Sequence, residues 1–589
     1  MSMNALRGVL CLLILVLSRA WSGGMEPEVR RAVPPGTALL IELNHPARAF
    51  DSRFGKDLWT ILRESSAVRQ SLDSPDIERL RQSARFLETT LEVDWHTALS
   101  QLTEGGVVIA VHPAKSGKQP DVTVVVSSDN EQTLKRVLDA IHETLRRRAQ
   151  GAAVAADPAR PAAVKPPEPV STTFRSFSCH RVGNGHYAVA GRRLLVANRQ
   201  EVLEEALSRM SAPELSDLFQ PPESLQVPDF AGREPLILMT LNLKLARQDP
   251  GTLEKLKFPM AEWVPVVLAG GYLDLLRRAD FVSAGLFADD RGAELRVRFP
   301  AGAEGALAGL RGYFATEAGE AAAPLLRPTG TLFSMSWFRD YARIWNARSE
   351  LCAPQLVKKI DSDNIRQREV AGGPGLGDLT QLLGSHYRVV AARQQESAYQ
   401  SPPAERAPAF ALVVDVPDEQ KFREQALAPI DRFVQLSVVP LAGEIRPAEY
   451  RGAKLTTVRF DGPEQSSPRE RRHLLNFDPA FTLTRGHLIL GSTSEIVRAV
   501  IDELERHTEI PDTIRTGPGQ THEFQCSLPA LADALNLFRG KFVRQIASDR
   551  KLTSDEAERE LEVLRRFLSR LGQLSSRSNL GPQQFDFVL

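Results

Sequence analysis

The chain has 589 residues, with 73 Lys and Arg against 73 Asp and Glu, so its formal net charge is zero. This balance excludes a protein that binds nucleic acid through an overall basic field. Hydrophobic residues make up 42% of the sequence and charged residues 25%, which is typical of a globular protein with several buried cores. Bulk disorder and a collagen-like fibre are therefore excluded.

The N-terminus has the features of a secretory signal peptide. Arg7 supplies a positive charge, residues 8–17 (GVLCLLILVL) are apolar, and residues 18–20 (SRA) follow the small-x-small pattern of a cleavage site. A membrane-spanning helix needs about twenty apolar residues, so a retained anchor is the weaker interpretation. We expect residues 1–22 to be a signal peptide and the rest to be exported to the periplasm or outside the cell, without an integral membrane segment.

Four blocks of sequence recur in the same order, at offsets of 280 to 294 residues. Their apolar pattern recurs rather than their residue identities. The paired blocks begin at Gly36 and Gly330, Leu99 and Leu379, Val122 and Phe410, and Tyr187 and Phe481. Each copy has the pattern of a strand, helices, strands, a helix, a hairpin, a helix, and a smaller portion of strands and helices. This order predicts an α+β fold built from two tandem copies of a mixed, mainly antiparallel sheet packed by helices.

The repeat also predicts the domain boundaries. Copy one is expected at residues 26–300 and copy two at residues 329–589, joined by a helix and linker at residues 301–328. The segment at residues 151–170 is mostly Ala and Pro, which predicts a disordered loop inserted in copy one. Residues 584–589 are predicted to form the last strand of copy two.

Several helix starts can be predicted from polar residues. Asn198 and Ser492 each precede a Glu by three residues, which predicts capping boxes with Glu201 and Glu495 at the third helical position. We favour this role for the two carboxylates over a catalytic dyad shared between the copies.

The clearest amphipathic helix is predicted over residues 554–574. Thr553 and Glu556 form a capping box at its start. One apolar face is expected to pack in the core, and it consists of Ala557, Leu561, Leu564, Leu568 and Leu571.

Two histidines, His180 and His186, flank the turn of a predicted hairpin. A two-residue turn at residues 184–185 places them on opposite faces, whereas a three-residue loop makes them diagonal neighbours that could contribute to a metal site. Copy two has no such pair, and no third ligand is evident. His142 and Glu143 begin like a zinc-protease helix, but Arg146 stands where the second histidine is needed. We therefore predict no metal and no other cofactor.

Three cysteines remain after the signal peptide, namely Cys179, Cys352 and Cys526. This sparse, odd set is no disulfide framework. Either one bridge forms and one thiol stays free, or all three are small buried apolar side chains. The second interpretation is favoured, and the sequence leaves the first open.

The two copies differ in the polar residues at the ends of their opening strands. Copy one has Glu42, Asn44 and His45, and copy two has Ser336, Phe338 and Arg339. The difference indicates either duplicated scaffolding or a site in one copy only. No catalytic, cofactor-binding or metal-binding residue is assigned from the sequence.

Residues 34–43 (PPGTALLIEL) behind a signal peptide, with residues 187–198 (YAVAGRRLLVAN), resemble uncharacterised families of large exported bacterial proteins, known as domains of unknown function. The resemblance offers no active site. We expect a non-enzymatic binding or interaction protein of the bacterial cell envelope, whose partner is an envelope protein, a peptide or a polymer. One alternative is a secreted or periplasmic hydrolase with a site in one copy, near Glu42, His45 or His180. Another is a structural envelope component. The oligomeric state stays open.

Overall fold

The computed structural model describes residues 29, 32–34, 36–44, 56, 60–65, 75–113, 120–154, 170–182, 184–211, 235–248, 257–289, 292–316, 320–395, 406–438, 443–460, 476–508 and 519–589. The predicted signal peptide at residues 1–22, the candidate residue His45 and most of the predicted loop, residues 155–169, lie outside this range.

The chain divides into two compact units. Unit 1 contains Met1–Pro250 and Ala279–Pro300, and unit 2 contains Gly251–Arg278 and Ala301–Leu589. The chain therefore passes into unit 2 at residue 251, returns to unit 1 at residue 279, and enters unit 2 again at residue 301.

Ten strands are described in unit 1, and all their pairings are antiparallel. Across the sheet they follow the order β4-β5-β6-β7-β3-β2-β1-β8-β9-β10. They are β1 (Leu39–Leu43), β2 (Val107–His112), β3 (Asp121–Ser127), β4 (Val170–Phe174), β5 (Phe177–Val182), β6 (Gly185–Ala190), β7 (Arg193–Ala197), β8 (Ile237–Asn242), β9 (Phe281–Ala288) and β10 (Ala293–Phe299).

Ten antiparallel strands are also described in unit 2. Their order is β14-β15-β16-β17-β13-β12-β11-β18-β19-β20, the same as in unit 1 when ten is added to each strand number. They are β11 (Thr331–Phe338), β12 (His386–Ala392), β13 (Ala409–Asp415), β14 (Gly443–Tyr450), β15 (Ala453–Phe460), β16 (Ala480–Thr484), β17 (His487–Gly491), β18 (Gln520–Ser527), β19 (Gln573–Leu580) and β20 (Phe585–Val588).

Helices accompany both sheets. In unit 1 they are α1 (Pro75–Leu91), α2 (Trp95–Thr103), α3 (Glu131–Val154), α4 (Gln200–Ser211) and α5 (Leu243–Ala246). In unit 2 they are α6 (Trp263–Arg278), α7 (Tyr341–Asn346), α8 (Arg348–Leu351), α9 (Pro354–Ala371), α10 (Leu376–Leu382), α11 (Glu419–Phe422), α12 (Ala428–Val438), α13 (Ser494–Thr508), α14 (Leu528–Leu537), α15 (Arg539–Arg550) and α16 (Ser554–Leu571), with a 3-10 helix at Ala308–Tyr313 and a π-helical turn at Arg423–Leu427. The predicted α+β class, with a mainly antiparallel sheet packed by helices, is confirmed.

In each unit, the helix that follows the hairpin covers one face of the sheet. Leu203 and Leu207 of α4 pack on β2, β3 and β7 in unit 1. Val497 and Val500 of α13 pack on β12, β13 and β17 in unit 2. These side chains are buried, and burying one Val or Leu contributes about 1.5–3 kcal/mol.

Three predicted elements differ from the structure in their bounds. Residues 151–154 extend α3 and Val170 begins β4, so the predicted loop is shorter at both ends. The predicted helix of the joining segment is a single 3-10 helix. The last long helix ends at Leu571, because Gly572 has a φ of 73° and residues 573–580 pair with β18.

Helix α16 has the predicted capping box, in which Thr553 Oγ1 accepts from the Glu556 N–H and Glu556 accepts from the Thr553 N–H. Its apolar face is only partly in the core. Ala557 and Leu561 are buried, but 42% of Leu564 is exposed. No helix in the described part of the chain is long and apolar enough to cross a membrane.

Helix α6 approaches the 3-10 helix closely because it carries glycine at the contact. A methyl group on Gly271 would lie 2.7 Å from both Tyr313 and Phe314. Gly270 lies beside the same segment, opposite Leu310. Small residues therefore set the distance between these two elements.

We predict that Gly271→Ala destabilises the protein by about 1–3 kcal/mol, because the added methyl overpacks this contact. The matched control is Gly540→Ala on exposed α15, where the new methyl meets only the end of the Arg544 side chain, at 3.6 Å. Urea unfolding monitored by tryptophan fluorescence measures both variants. Equal stability of the two variants would contradict the packing.

Candidate functional site

The residues that end the opening strands lie in the interior of their units. Glu42 and Asn44 are buried, and the Asn44 amide donates to the Pro235 carbonyl at 2.7 Å. In unit 2, Ser336 and Phe338 are buried in the sheet. These four residues are therefore buried within the units and not exposed at the surface.

Arg339 is buried as well, and its contacts are structural. Its guanidinium lies 3.9 Å from the centre of the Tyr313 ring and donates to the Val267 carbonyl at 3.3 Å. Burial raises the pKa of Tyr313 above its ordinary value, although the Arg339 charge acts in the opposite direction. The pair joins α6 and the 3-10 helix to the end of β11.

The β5–β6 hairpin separates His180 from His186. Val182 pairs with Gly185, so two residues form the turn, one position earlier than the predicted two-residue turn. His186 lies opposite Arg181 and His180 lies opposite Tyr187, which places the two histidines on opposite faces. The diagonal arrangement needed for a joint metal site is absent.

His180 instead joins a ring cluster that the sequence does not reveal. The His142 ring on α3 lies 5.1 Å from the His180 ring and 5.8 Å from the Tyr187 ring, and His142 Nε2 is hydrogen-bonded to the Tyr187 hydroxyl. Ser171 Oγ lies 3.0 Å from His180 Nδ1. No group of three His, Cys, Asp or Glu side chains in the described residues could hold a metal ion.

Burial sets the protonation of this cluster. It lowers the pKa of His142 and of His180, and the neighbouring His180 and Arg146 charges lower the pKa of His142 further, against Asp139, which raises it. Burial also raises the pKa of Tyr187. The three rings are therefore neutral at pH 7 and stabilise the contact between α3 and the hairpin only in that state.

Unit 2 contains a row of titratable side chains across three adjacent strands. His386 begins β12, Asp415 ends β13 and His487 begins β17, so the register brings them side by side at one end of the sheet. Asp415 accepts from His386 Nδ1 at 2.8 Å and from His487 Nε2 at 3.2 Å. Arg388 lies 3.4 Å from the same carboxylate.

The row holds Asp415 in its ionised form. Burial raises the pKa of this carboxyl, but hydrogen bonds from His386 and His487 and the Arg388 charge outweigh burial and hold the pKa well below its usual range. Both ring nitrogens of His487 have a polar partner, because Nδ1 also lies 2.7 Å from the Arg485 carbonyl. His386 is bonded to Asp415 through one nitrogen only, in the arrangement of an Asp–His pair.

This row could not be predicted from the sequence, because the three residues are far apart in the chain. Each stands at the end of a predicted strand, but only the strand order makes them neighbours. At the offsets of the repeated blocks, their counterparts in unit 1 are Gly106, Ser127 and Arg193. The row therefore occurs in unit 2 alone.

The matched pair Glu201 and Glu495 has ordinary structural roles. Glu201 is exposed and lies 3.6 Å from Arg199. Burial raises the pKa of Glu495, and the nearby Asp478 charge raises it further. Helix α13, which contains Glu495, is capped by Thr493, whose Oγ1 accepts from the Ile496 N–H at 3.3 Å, and the Asp478 carboxylate accepts from the Ser494 N–H at 3.3 Å.

The predicted N-cap roles of Asn198 and Ser492 are wrong. Asn198 Oδ1 accepts from the Val122 N–H at 2.9 Å, and Ser492 Oγ accepts from the Phe410 N–H at 2.9 Å. Each side chain thus fastens the start of a helix to the neighbouring strand. The two helices begin at Gln200 and Ser494, two residues after Asn198 and Ser492, so neither side chain stands at the N-cap position.

The cysteines fit the favoured interpretation. Cys179, Cys352 and Cys526 are free and buried. Burial raises the pKa of Cys352 to about 11 and raises the pKa of the other two thiols. These thiols are protonated and shielded, so none is a nucleophile.

An open cleft of about 1100 Å³ lies in unit 2. The 3-10 helix and α7 form one wall. The other wall is the turn at residues 580–582, where the Gly581 and Pro582 carbonyls accept from the Ala303 and Glu304 N–H groups at 3.0 and 2.8 Å. The lining is mostly small and includes Ala303, Ala308, Gly309, Ala315, Ala342 and Ala347.

Four charged side chains and the Thr316 hydroxyl stand at the cleft. Its lining includes Glu304, Arg311, Asp340 and Arg343, and contains no His, Cys, Ser, Lys or Tyr among the described residues. Asp340 caps α7 by accepting from the Arg343 N–H at 2.8 Å, and the two side chains are also paired at 3.4 Å. Arg311 is exposed. Such a cleft can hold a ligand through shape, backbone groups and charge.

No protein-family model and no curated protein matches the chain. Among solved structures, crystal form IV of TP0453 covers 48% of this chain and 83% of its own length, at 9% identity and a TM-score of 0.23. Crystal form I of TP0453 covers 49% and 83%, at 10% identity and a TM-score of 0.23. Likeness at this level carries no argument about function.

We predict that acidification from pH 7 to pH 5 loosens the β5–β6 hairpin. The pKa values of His142 and His180 are lowered on folding, so the unfolded state binds protons first and stability falls as the pH drops below about 6.5. Hydrogen exchange of residues 177–190, corrected for the intrinsic pH effect, should become faster. Burial also lowers the pKa of His186 in the same hairpin, so the triple variant His142→Phe, His180→Phe and His186→Phe should lose most of this dependence, whereas His96→Phe on α2 should keep it. Equal exchange at both pH values in the unaltered chain would contradict the prediction.

We predict that Asp415→Asn lowers the free energy of unfolding at pH 7 by about 1–3 kcal/mol, because the amide cannot replace a carboxylate that accepts from two histidines. Since folding lowers the pKa of Asp415, its contribution is complete above the unfolded-state value of about 4 and is lost as the pH falls below it. Urea titrations at pH 7 and pH 3.5 measure both effects. Asp549→Asn, at an exposed site on α15, is the control. If Asp415→Asn lowered the free energy of unfolding by the same amount at both pH values, the role of the carboxylate would be refuted.

Proposed function

We propose that this chain is an exported binding protein of the bacterial cell envelope, and that the unit 2 cleft holds an extended segment of a peptide or another linear polymer. The observation that carries the proposal is the cleft itself. It is large and open, and it is lined mostly by small side chains and backbone. The signal-peptide pattern at residues 1–22 supports export.

The wall at residues 302–304 is built to keep its shape. The Arg278 guanidinium donates to the Gly302 and Glu304 carbonyls at 2.8 and 2.7 Å, and through Nε to the buried Asp274 carboxylate at 2.7 Å. A wall held by a buried ion pair and by backbone hydrogen bonds is preformed, which lowers the entropy cost of binding.

We also infer that residues 26–300 and residues 329–589 are two copies of one ancestral sequence. The strand order and register support this inference. Paired residues in unit 1 correspond to paired residues in unit 2 at the offsets of the repeated blocks: Ile41–Ile109, Ile109–Val124 and Val124–Val196 against Met335–Val389, Val389–Leu412 and Leu412–Leu490. Duplicated scaffolds with unlike polar residues fit a protein in which one copy carries the site.

A second candidate is a hydrolase with its site in unit 2. It is favoured by the His386–Asp415 pair, because a histidine held by a carboxylate through Nδ1 can act as a general base through Nε2. The cleft lining does not include His386, so binding without turnover is the better supported function.

The test uses fluorescent eight-residue peptides of acidic, basic and neutral composition, together with linear glycan fragments. We expect at least one class to bind and to be recovered with unchanged mass. Ala308→Trp, which fills the cleft, should abolish binding, and Arg311→Glu should change affinity at least fivefold, as followed by fluorescence anisotropy.

The matched controls are Ser349→Trp and Arg544→Glu, at exposed sites of unit 2 outside the cleft lining. They should bind as the unaltered chain does. Binding to no class would favour a structural component. Cleavage of a probe that His386→Gln abolishes would favour the hydrolase.

A further inference from the structure

The outer strand β4 of unit 1 has one edge without a strand partner in the described part of the chain. It pairs with β5 through all five of its residues. Its other edge presents N–H and C=O groups that a further strand can use. Residues 170–173 are exposed, and 47% of Val170 is accessible.

Strand β14, at the same position in the order of unit 2, is protected against such pairing. Its sequence, GEIRPAEY, contains Pro447, which has no N–H to donate, and the charged residues Glu444, Arg446 and Glu449. Strand β4 has the sequence VSTTF, which contains neither a proline nor a charged residue. The two strands occupy the same position in sheets that have the same strand order. The difference in edge protection therefore comes from their residues and not from the fold.

The chain just before β4 is poorly suited to cover this edge as a strand. Residues 155–169 (AADPARPAAVKPPEP) include five prolines. Each proline lacks the N–H that a ladder requires. A strand from this segment is therefore not expected on the edge.

We propose that β4 pairs antiparallel with β4 of a second copy of this chain, forming a two-fold dimer. In the fully overlapped register, Thr172 lies opposite Thr172 of the second copy, Ser171 opposite Thr173, and Val170 opposite Phe174. Hydroxyl pairs and an aliphatic–aromatic pair are favourable cross-strand neighbours.

A second copy is the occupant that the charges favour. Strand β4 is uncharged, so it offers no electrostatic recognition to a charged peptide. The chain has a formal net charge of zero, so two copies meet without long-range repulsion. The dimer does not depend on the proposed ligand of unit 2.

The experiment is sedimentation equilibrium of the full chain with charge variants at the two-fold axis. The unaltered chain should show a concentration-dependent dimer. Thr172→Lys and Thr172→Glu should each weaken dimerisation at least tenfold, because like charges then face each other. An equimolar mixture of the two variants should restore the dimer, which a misfolded variant could not do.

The control pair is Thr89→Lys and Thr89→Glu, at an exposed site of α1, and both should dimerise as the unaltered chain does. A monomer at every concentration overturns the proposal, even if β4 then binds an unrelated peptide. A dimer that the Thr172 variants leave intact also overturns it.

Discussion

The pairing of each opening strand on both of its edges is the constraint on which the rest of the structure depends. Strand β1 lies between β2 and β8, and β11 lies between β12 and β18. Side chains alternate between the two faces of a sheet, so a slip of one residue in either strand would exchange its buried side chains for its exposed ones. The register therefore decides which side chains meet, in the cores as well as in the polar clusters.

The two polar clusters differ in their charge at pH 7, although they lie in sheets with the same strand order. In unit 1, His142, His180 and Tyr187 meet, and burial keeps the rings neutral against the opposing effect of the Asp139 charge. In unit 2, Asp415 lies between two histidines and keeps its charge. The first cluster weakens as the pH falls below about 6.5, whereas the second begins to lose its contribution to stability only as the pH falls below about 4, the value of the unfolded carboxyl. Neither cluster lines the cleft, which favours structural roles for both.

Local patterns predicted much of the fold, because apolar alternation and capping residues act over a few positions. The cap of α16 by Thr553 is an example, and the class of the fold is another. Contacts that depend on strand order could not be predicted from the sequence. The row of His386, Asp415 and His487 needs three strands in a known order, and Asn198 bonds a strand rather than its own helix because the sheet brings the Val122 N–H within reach. The cleft was missed for the same reason, since its walls come from segments more than 200 residues apart.

Hydrogen exchange of the chain with and without a saturating peptide or glycan fragment locates the ligand, and mass spectrometry of the same sample detects turnover. We expect slower exchange at residues 303–316, 340–347 and 580–582, with the ligand recovered intact. Protection confined to residues 386–388 and 485–488, or cleavage of the ligand, would contradict binding without chemistry at the cleft.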